Sequence, residues 1–274
     1  MEAFDRLLDM AFEEDLPQGD ITSEAVVPKD RMILASLKAK EDLVLSGKEC
    51  FERAMMKIDP TLSFQWHFKD SDFVYNQQTV CLIEGSALSI LKAERVALNF
   101  LGKLTGIATL TRCFVEKLHG TKTQILDTRK TTPGWRELEK KAVVHGGGKN
   151  HRMNLSDGIL IKDNHIRAAG SIRDAVLRMR KHSDLPIVVE CSDLSEVQQA
   201  VSENVDRILL DNMNLDALKV CLESIPGHIH TEASGNMNLE RIRSVAELGI
   251  DFISVGQITH SAPCADLSLL FDWS

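Results

Sequence analysis

The chain has 274 residues, of which 43% are hydrophobic and 26% are charged, and such proportions allow a globular core to form without disulfides or metal ions. Its length excludes a miniprotein, and its net charge of −8 argues against a general nucleic-acid-binding protein, which is normally basic. No apolar run approaches the roughly 18 residues of a membrane span, and residues 1–14 carry acidic residues where a signal peptide is basic. We therefore expect a cytoplasmic protein with one large domain or two smaller ones.

The cysteines are scattered without a C-x-x-C pair or a regular spacing. This pattern predicts buried free thiols in a reducing compartment, in preference to a zinc site or a disulfide framework. The six residues are Cys50, Cys81, Cys113, Cys191, Cys221 and Cys264.

The first third of the chain is typical of a small α+β unit. Apolar residues at three- and four-residue spacing between Phe4 and Phe12 predict an amphipathic helix that ends before a turn at residues 17–20. A second helix is predicted at residues 48–58, and residues 94–118 form a third that leads into a second domain. Gly102 and Gly106 favour a bend in this third helix. Strands are predicted at residues 32–37, 62–68, 79–83 and 87–91.

The rest of the chain alternates short apolar strands with helical segments, which favours a parallel sheet, either open or closed into a barrel. The predicted strands are residues 124–126, 158–161, 187–189, 207–210, 229–231 and 252–255. A polar residue or a glycine follows each strand directly or after one residue, namely Asp127, Lys162, Glu190, Asp211, Glu232 and Gly256. All such ends meet at one mouth of a β/α barrel, whereas an open doubly wound sheet has a single crevice, so the pattern fits a barrel better.

A basic segment stands out in this acidic chain. Residues 127–167 contain nine basic and five acidic residues, a net charge of +4 that leaves −12 for the remainder. Its cations include Arg129 and Lys130 in the sequence DTRKTTPG, Arg152 beside His151, and Lys162 at a strand end. An isolated pair of this kind is usually a solvated surface turn. Three clusters on successive elements instead predict a shared pocket for an anionic small molecule.

Two features of this segment are compatible with more than one role. The glycine triplet at residues 146–148 is a weak signal for phosphate binding, because it lacks the spacing of a P-loop. The alternative is a helix C-cap followed by a flexible turn. Lys162 also occupies the position at which a Schiff-base aldolase keeps its nucleophile. The neighbouring cations favour an electrostatic role for Lys162.

Glu190 and Asp211 follow successive predicted strands. A carboxylate at such a position can cap the next helix, an alternative that is serious for Asp211. It can also hold Mg²⁺ against a pyrophosphate, or balance positive charge that develops on a sugar carbon. Ser234, Gly235 and Gly256 lie on the last two strand-to-helix loops, where barrels bind phosphate through backbone N–H groups.

With these residues assembled, the chain resembles the quinolinate phosphoribosyltransferase family over nearly its whole length. The matching segments are EDLPQGDITS at residues 14–23, DTRKTTPG at 127–134, HGGGKNHR at 145–152, LIKDNHI at 160–166, and shorter ones at 93–99, 106–109, 211–213, 232–235 and 254–261. The resemblance implies an N-terminal α/β sandwich domain at residues 1–106 and 265–274. It also implies an open, partly closed α/β barrel as the catalytic domain at residues 107–264.

The activity implied by the resemblance joins quinolinate to 5-phosphoribosyl 1-pyrophosphate in NAD biosynthesis, giving nicotinate mononucleotide, pyrophosphate and CO₂. The implied cofactor is Mg²⁺, held by Glu190 and Asp211, and the implied assembly is a homodimer or a hexamer without nucleic-acid or membrane partners. Lys130, Glu190 and Asp211 match the catalytic residues of the family. Arg129, His151, Arg152 and Lys162 match the family residues that bind quinolinate, and Lys130 matches the residue that binds the phosphoribosyl donor. Ser234, Gly235 and Gly256 match the loops that bind the 5-phosphate. Arg95 matches an arginine that one subunit donates to the neighbouring active site.

Two positions depart from the family pattern. Val188 stands where a glutamate is frequent, which leaves open how many carboxylates serve the metal. Asn236 stands where a glycine is frequent, a mild change because asparagine tolerates a left-handed backbone.

Three other functions stay open at the sequence level. One is a relative with the same fold from molybdenum-transport operons, although Thr131 and Thr132 before Pro133 look more like the quinolinate enzyme. Another is an aldolase that acts through Lys162. The third is a non-enzymatic, anion-sensing barrel.

Overall fold

Antiparallel strands form the first sheet of the protein and parallel strands form the second, in a computed structural model that describes residues 2–273. The described chain divides into two units. The first contains residues 2–112, 132–147 and 262–273, and the second contains residues 113–131 and 148–261. The units and the predicted domain ranges differ at residues 107–112, 132–147 and 262–264, which were predicted in the catalytic domain but belong to the first unit. The outermost predicted ends, Met1 and Ser274, lie outside the described residues.

The helices, in chain order, are α1 (Glu2–Asp15), α2 (Ile21–Val26), α3 (Lys48–Ile58), α4 (Ala87–Lys117), α5 (Arg136–His145), α6 (Asp163–Ala169), α7 (Ile172–Arg180), α8 (Leu194–Ser202), α9 (Leu215–Glu223), α10 (Ile242–Ala246) and α11 (Gln257–His260). The strands are β1 (Met32–Ala39), β2 (Leu43–Val44), β3 (Ser63–Trp66), β4 (Phe73–Val74), β5 (Thr79–Ser86), β6 (Gln124–Leu126), β7 (Ile159–Ile161), β8 (Ile187–Cys191), β9 (Arg207–Asp211), β10 (His230–Ser234), β11 (Phe252–Ser254) and β12 (Leu267–Asp272).

The first unit contains a four-stranded antiparallel sheet in the order β12-β1-β5-β3, and the short strands β2 and β4 pair separately. Every second residue of β1, from Ile33 to Ala39, is buried. This alternation follows from the period of two along a strand, which turns successive side chains to opposite faces.

The predicted strand at residues 87–91 is wrong, because α4 begins at Ala87. Burial recurs there at Ala87, Ile90 and Ala93, the three-residue spacing of a helix face. The helix continues through both glycines that favoured a bend. A Cβ atom at Gly106 would lie 1.8 Å from the Pro263 carbonyl oxygen, so this glycine allows two backbones to pack closely.

The second unit contains a six-stranded parallel sheet in the order β6-β11-β10-β9-β8-β7. Within the described residues, no ladder joins β6 to β7, so the sheet is an open barrel. All six predicted strands of this region are confirmed, and β6 has the predicted bounds. The α/β fold class predicted from the sequence is therefore confirmed.

All six cysteines are free thiols, as predicted. Burial raises the pKa of Cys50 and of Cys81 to about 12, which keeps both thiols protonated and unreactive at neutral pH. Cys113 and Cys264 are exposed, so the prediction of burial is wrong for these two. Among the described helices, none is long and apolar enough to cross a membrane.

Candidate active site

The carboxyl ends of the parallel strands surround a cavity of about 590 Å³ in the second unit. This is the edge at which parallel α/β sheets bind ligands, because the strand-to-helix loops converge there. Nine of the predicted site residues line the cavity, namely Arg129, Lys130, His151, Arg152, Lys162, Glu190, Asp211, Ser234 and Gly235.

The three basic clusters of the sequence meet in this cavity, so the prediction of a shared pocket is confirmed. Burial, together with the nearby Arg129 guanidinium, lowers the pKa of Arg152. One guanidinium nitrogen of Arg152, Nη1, donates a hydrogen bond to the Gly158 carbonyl at 3.0 Å. Placing two like charges in a partly buried position is unfavourable without an anion between them, and the pair therefore suits a carboxylate or phosphate.

The backbone of Lys130 is held at both its N–H and its carbonyl. The N–H donates to Thr128 Oγ1 at 3.0 Å, and the carbonyl accepts from Thr259 Oγ1 at 2.8 Å. Gly256 lies next to this lysine, since a Cβ atom there would come within 3.2 Å of Lys130 Cδ. The glycine thus leaves room for the aliphatic part of the lysine side chain.

Lys162 and Glu190 form an ion pair, with 2.5 Å between Lys162 Nζ and Glu190 Oε2. The lysine side chain is 44% exposed and the glutamate side chain 18%. The pair comes from the ends of the neighbouring strands β7 and β8. Each of the two groups has an opposite charge within reach and also faces the cavity.

The prediction that the two acidic residues could cap helices is wrong. Asp193 caps α8 and Asn214 caps α9, each by accepting a backbone hydrogen bond at 2.9 Å. Glu190 and Asp211 instead lie within the last residues of β8 and β9. Asp211 Oδ2 accepts a hydrogen bond from the Asn212 side chain at 2.7 Å, so its other oxygen remains available for a ligand.

The loop after β10 requires an unusual backbone. Gly235 has a φ of +91°, and a Cβ atom there would lie 2.1 Å from Asn212 Oδ1. Asn236 follows with a φ of 51°, which shows why asparagine can replace glycine at this position. This backbone brings Ser234 and Gly235 to the cavity.

Two buried carboxylates of this site were not assigned a role from the sequence. Asp127 and Glu232 each have 0% exposure. Asp127 Oδ1 accepts a hydrogen bond from the His151 backbone N–H at 2.8 Å. Glu232 lines the cavity and accepts from Arg207 Nη1 at 3.0 Å. Their positions after or within apolar strands were visible in the sequence, but their partners lie 24 and 25 residues away and gave no local signal.

The remaining predicted site residue, Arg95, is an exposed residue of α4 in the first unit. Its role in a neighbouring subunit stays a prediction. The glycine triplet has its expected structural role, because Gly146 is the C-cap of α5 and Gly147 has a φ of +94°.

Two family models, one for each domain of the same enzyme, match the chain. The model for the N-terminal domain of quinolinate phosphoribosyl transferase matches residues 20–105, and the model for its C-terminal domain matches residues 107–270. The chain belongs to this family. The resemblance found in the sequence is therefore confirmed.

Similar proteins come from plants and bacteria. A mitochondrial quinolinate phosphoribosyltransferase (decarboxylating) 2a of Nicotiana tabacum is 37% identical over 97% of this chain and 81% of its own length. A probable nicotinate-nucleotide pyrophosphorylase (carboxylating) of Bacillus subtilis is 37% identical over 96% of this chain and 92% of its own. The crystal structure of nicotinate-nucleotide pyrophosphorylase from Ehrlichia chaffeensis has a TM-score of 0.94 and 39% identity, covering 98% of both chains.

Proposed function

We propose that this protein transfers a phosphoribosyl group from 5-phosphoribosyl 1-pyrophosphate to quinolinate, with loss of CO₂, to give nicotinate mononucleotide and pyrophosphate. The observation that carries the proposal is the cavity in which Arg129, Arg152 and Lys162 converge, in a chain that belongs to the family. Both substrates are polyanions, and a site that joins them needs several cations in one place.

The cations serve mainly to position the substrates. We assign the quinolinate carboxylates to Arg129, His151, Arg152 and Lys162, and the phosphoribosyl donor to Lys130. A hydrogen bond to a charged group contributes about 1.5–3 kcal/mol. Several such bonds can hold the pyridine nitrogen in line with the ribose carbon, which removes much of the entropic barrier to reaction.

Bond formation uses the lone pair of the pyridine nitrogen, which attacks C1 of the ribose while the C1–O bond to pyrophosphate breaks. The sugar carbon becomes positive as the leaving group departs, and Glu190 and Asp211 supply counter-charges. The bond to the adjacent carboxylate then breaks, CO₂ leaves, and the electron pair stays on the ring carbon, where the positive charge of the alkylated nitrogen beside it stabilises it. This carbon then takes a proton from solvent. Lys130 neutralises charge on the departing pyrophosphate.

We propose Mg²⁺ as the cofactor, with Glu190 and Asp211 as its protein ligands. Among residues 2–273, no cluster of three or more acidic, histidine or cysteine residues could hold a metal. A pair of carboxylates fits Mg²⁺, which commonly takes one or two carboxylates and completes its shell with water and substrate phosphates. The ion neutralises pyrophosphate when bound. Val188 lies on the same face of β8 as Glu190 and supplies no third carboxylate.

The 5-phosphate fits the loop around Ser234 and Gly235, with Gly256 near Lys130. Backbone N–H groups in such loops bind phosphate. We further propose a homodimer or hexamer in which the exposed Arg95 reaches a neighbouring active site. A cytoplasmic location is supported by six free cysteines, since disulfides are rare in reducing compartments.

Incubation of the purified protein with both substrates and Mg²⁺ tests the activity. We expect nicotinate mononucleotide by ultraviolet absorbance together with labelled CO₂ from carboxyl-labelled quinolinate. Binding of both substrates without product would indicate an anion sensor, and absence of quinolinate binding would indicate a relative with another substrate. A substrate adduct on Lys162 after borohydride treatment would indicate an aldolase.

Shared sites are tested by mixing two inactive variants. Arg95→Ala and Lys162→Ala damage different halves of a site that two subunits complete, so a mixed dimer contains one intact site. We expect partial recovery of activity after subunit exchange. No recovery despite confirmed exchange would contradict the role of Arg95.

A further inference from the structure

Glu232 is a buried carboxylate at the floor of the cavity, and its charge is compensated by groups on other strands. Arg207 Nη1 donates to Glu232 Oε2 at 3.0 Å, and Ser254 Oγ donates to Oε1. Burial alone would raise the pKa of Glu232, but His151, Ser254 and Arg207 outweigh it and the pKa lies below its usual value. Glu232 is therefore an anion at neutral pH.

His151 is fixed from three directions. Its backbone N–H donates to Asp127 Oδ1 at 2.8 Å, and its ring Nδ1 accepts from the Arg152 N–H at 2.8 Å. Its ring Nε2 lies 3.6 Å from Glu232 Oε1. Because Nδ1 accepts a hydrogen bond, the proton of the neutral ring is on Nε2, the nitrogen that faces the buried anion.

We propose that Glu232 is a positioning residue for quinolinate binding, which acts through the charge that it presents to Nε2 and so holds the His151 ring in one orientation at the wall of the cavity. This inference rests on the proposed function, in which His151 contacts quinolinate. Oε1 of Glu232 accepts from Ser254 and faces His151, while Oε2 is paired with Arg207. The carboxylate thus connects a cation behind the cavity to a histidine that lines it.

A purely structural role is the alternative, in which Glu232 only neutralises Arg207 inside the sheet. The two roles differ in one respect. A positioning residue has no effect on quinolinate once His151 is absent, whereas a structural residue has the same effect in either background. A double-mutant cycle between the two positions separates them.

The cycle uses wild type, Glu232→Gln, His151→Ala and the double variant. Glutamine keeps the shape of the side chain and an oxygen for Arg207. Calorimetry gives the dissociation constant of quinolinate for each protein, so that inactive variants can also be measured. Thr231→Val, on the same strand as Glu232, is the control. It removes the hydrogen bond from Thr231 Oγ1 to Asp251 and affects stability without affecting the cavity.

We expect Glu232→Gln to weaken quinolinate binding about tenfold with His151 present and less than about twofold with His151 replaced. Equal factors in both backgrounds, or no effect of Glu232→Gln alone, would overturn the inference. A wild-type protein that binds quinolinate but yields no nicotinate mononucleotide would overturn the proposed reaction and leave the positioning role to be decided by the cycle. A wild-type protein that binds no quinolinate would overturn both.

If Glu232→Gln does not fold, Ser254→Ala replaces it in the same cycle. This variant keeps the charge and the Arg207 pair but frees Oε1, the oxygen that faces His151. We expect a smaller loss, of about threefold, again only when His151 is present. The same loss in both backgrounds would count against the positioning role.

Discussion

The two ends of the parallel sheet in the second unit differ in how their charges are compensated. At the amino end, Asp251 accepts hydrogen bonds from the Thr231 N–H and hydroxyl, each at 2.9 Å, and from Lys122 at 2.7 Å. At the carboxyl end, the nearby Arg129 guanidinium helps to lower the pKa of Arg152 after burial. The first arrangement stabilises the fold, whereas the second gathers like charges that suit an anionic ligand.

This difference shows that one end of a parallel sheet can stabilise the fold while the other end binds a ligand. Charges before the strands connect neighbouring elements and are satisfied by the protein. Charges after the strands face a cavity. Some of them, such as Lys162 and Glu190, are paired there, but the proximity of Arg129 and Arg152 lowers the stability of the unliganded protein in exchange for binding. Substitutions at the carboxyl end should therefore change kinetics, and those at the amino end should change stability.

The largest expected effect is at Gly235. Gly235→Ala places a Cβ atom 2.1 Å from Asn212 Oδ1 and 2.8 Å from the Asn212 backbone nitrogen, so the loop must move. We expect kcat/KM to fall about 100-fold, because a displacement of about 1 Å at a reacting site can cost this much. Steady-state kinetics with both substrates measures the loss.

Gly120→Ala is the matched control. Gly120 has a similar φ of +82°, but nothing lies within 4 Å of the added Cβ. Both variants carry the backbone strain of an alanine in this region, about 1–2 kcal/mol, and only Gly235→Ala carries the clash. Equal activities in the two variants would show that the loop after β10 does not hold substrate.

The second effect concerns Arg129. Arg129→Lys keeps the charge but loses the planar fork that binds a carboxylate through two hydrogen bonds. We expect the KM for quinolinate to rise about tenfold, equivalent to about 1.4 kcal/mol, with the KM for the phosphoribosyl donor nearly unchanged. Arg173→Lys makes the same chemical change on a side chain that is 74% exposed and should leave both constants unaltered. If Arg129→Lys behaves like this control, Arg129 does not bind quinolinate.

The third effect is at the amino end. Partial burial would raise the pKa of Asp251, but Lys122 and Thr231 outweigh it and the pKa lies below its usual 3.8. The charged form therefore stabilises the fold above about pH 4, and this contribution is lost as the pH falls through the folded-state pKa. We expect Asp251→Asn to lower the free energy of unfolding by about 1–2 kcal/mol at pH 7.

Urea unfolding of wild type and Asp251→Asn from pH 7 down to pH 3 checks this prediction. The difference between the two proteins should shrink toward the acid end of the range, while the KM values measured at pH 7 stay the same. A difference that does not depend on pH would assign the stability to shape and not to charge.

The smallest effect is expected for Lys122→Met. Its partner is the same Asp251, but the lysine side chain is 62% exposed, and exposed ion pairs contribute less than about 1 kcal/mol. We expect a loss of about 0.5 kcal/mol that disappears in 1 M salt because of screening. A larger loss of stability that persists at high salt would show that Lys122 does not act mainly through its charge, and the comparison between the two ends of the sheet would be weakened.

The parallel sheet could be predicted from the sequence because its signals are local. Each strand is a short apolar run followed by a polar residue or a glycine. For β6, the predicted and observed bounds are the same. The three basic clusters could be joined into one pocket for the same reason, since parallel strands bring their carboxyl ends together.

Other features depend on contacts that the sequence does not display. The strand predicted at residues 87–91 is wrong because nothing in the sequence at Ser86 and Ala87 marks the end of β5 and the start of α4. The three-residue spacing of buried side chains is recognisable only over a longer part of the helix. The pairing of Glu232 with Arg207 was not predicted, because the two residues are 25 apart in sequence and meet only through the pairing of β10 with β9. To predict contacts between residues on neighbouring strands, one must know the register of the sheet, and the periodicity of the sequence does not provide it.

The gap between β6 and β7 leaves two strand edges that could pair with another chain. Both strands have only three residues, and a parallel bridge from Leu126 to Lys149 covers part of the β6 edge. Short edges offer few free backbone groups to a foreign strand. The incomplete closure of the barrel therefore creates little risk of edge-to-edge aggregation.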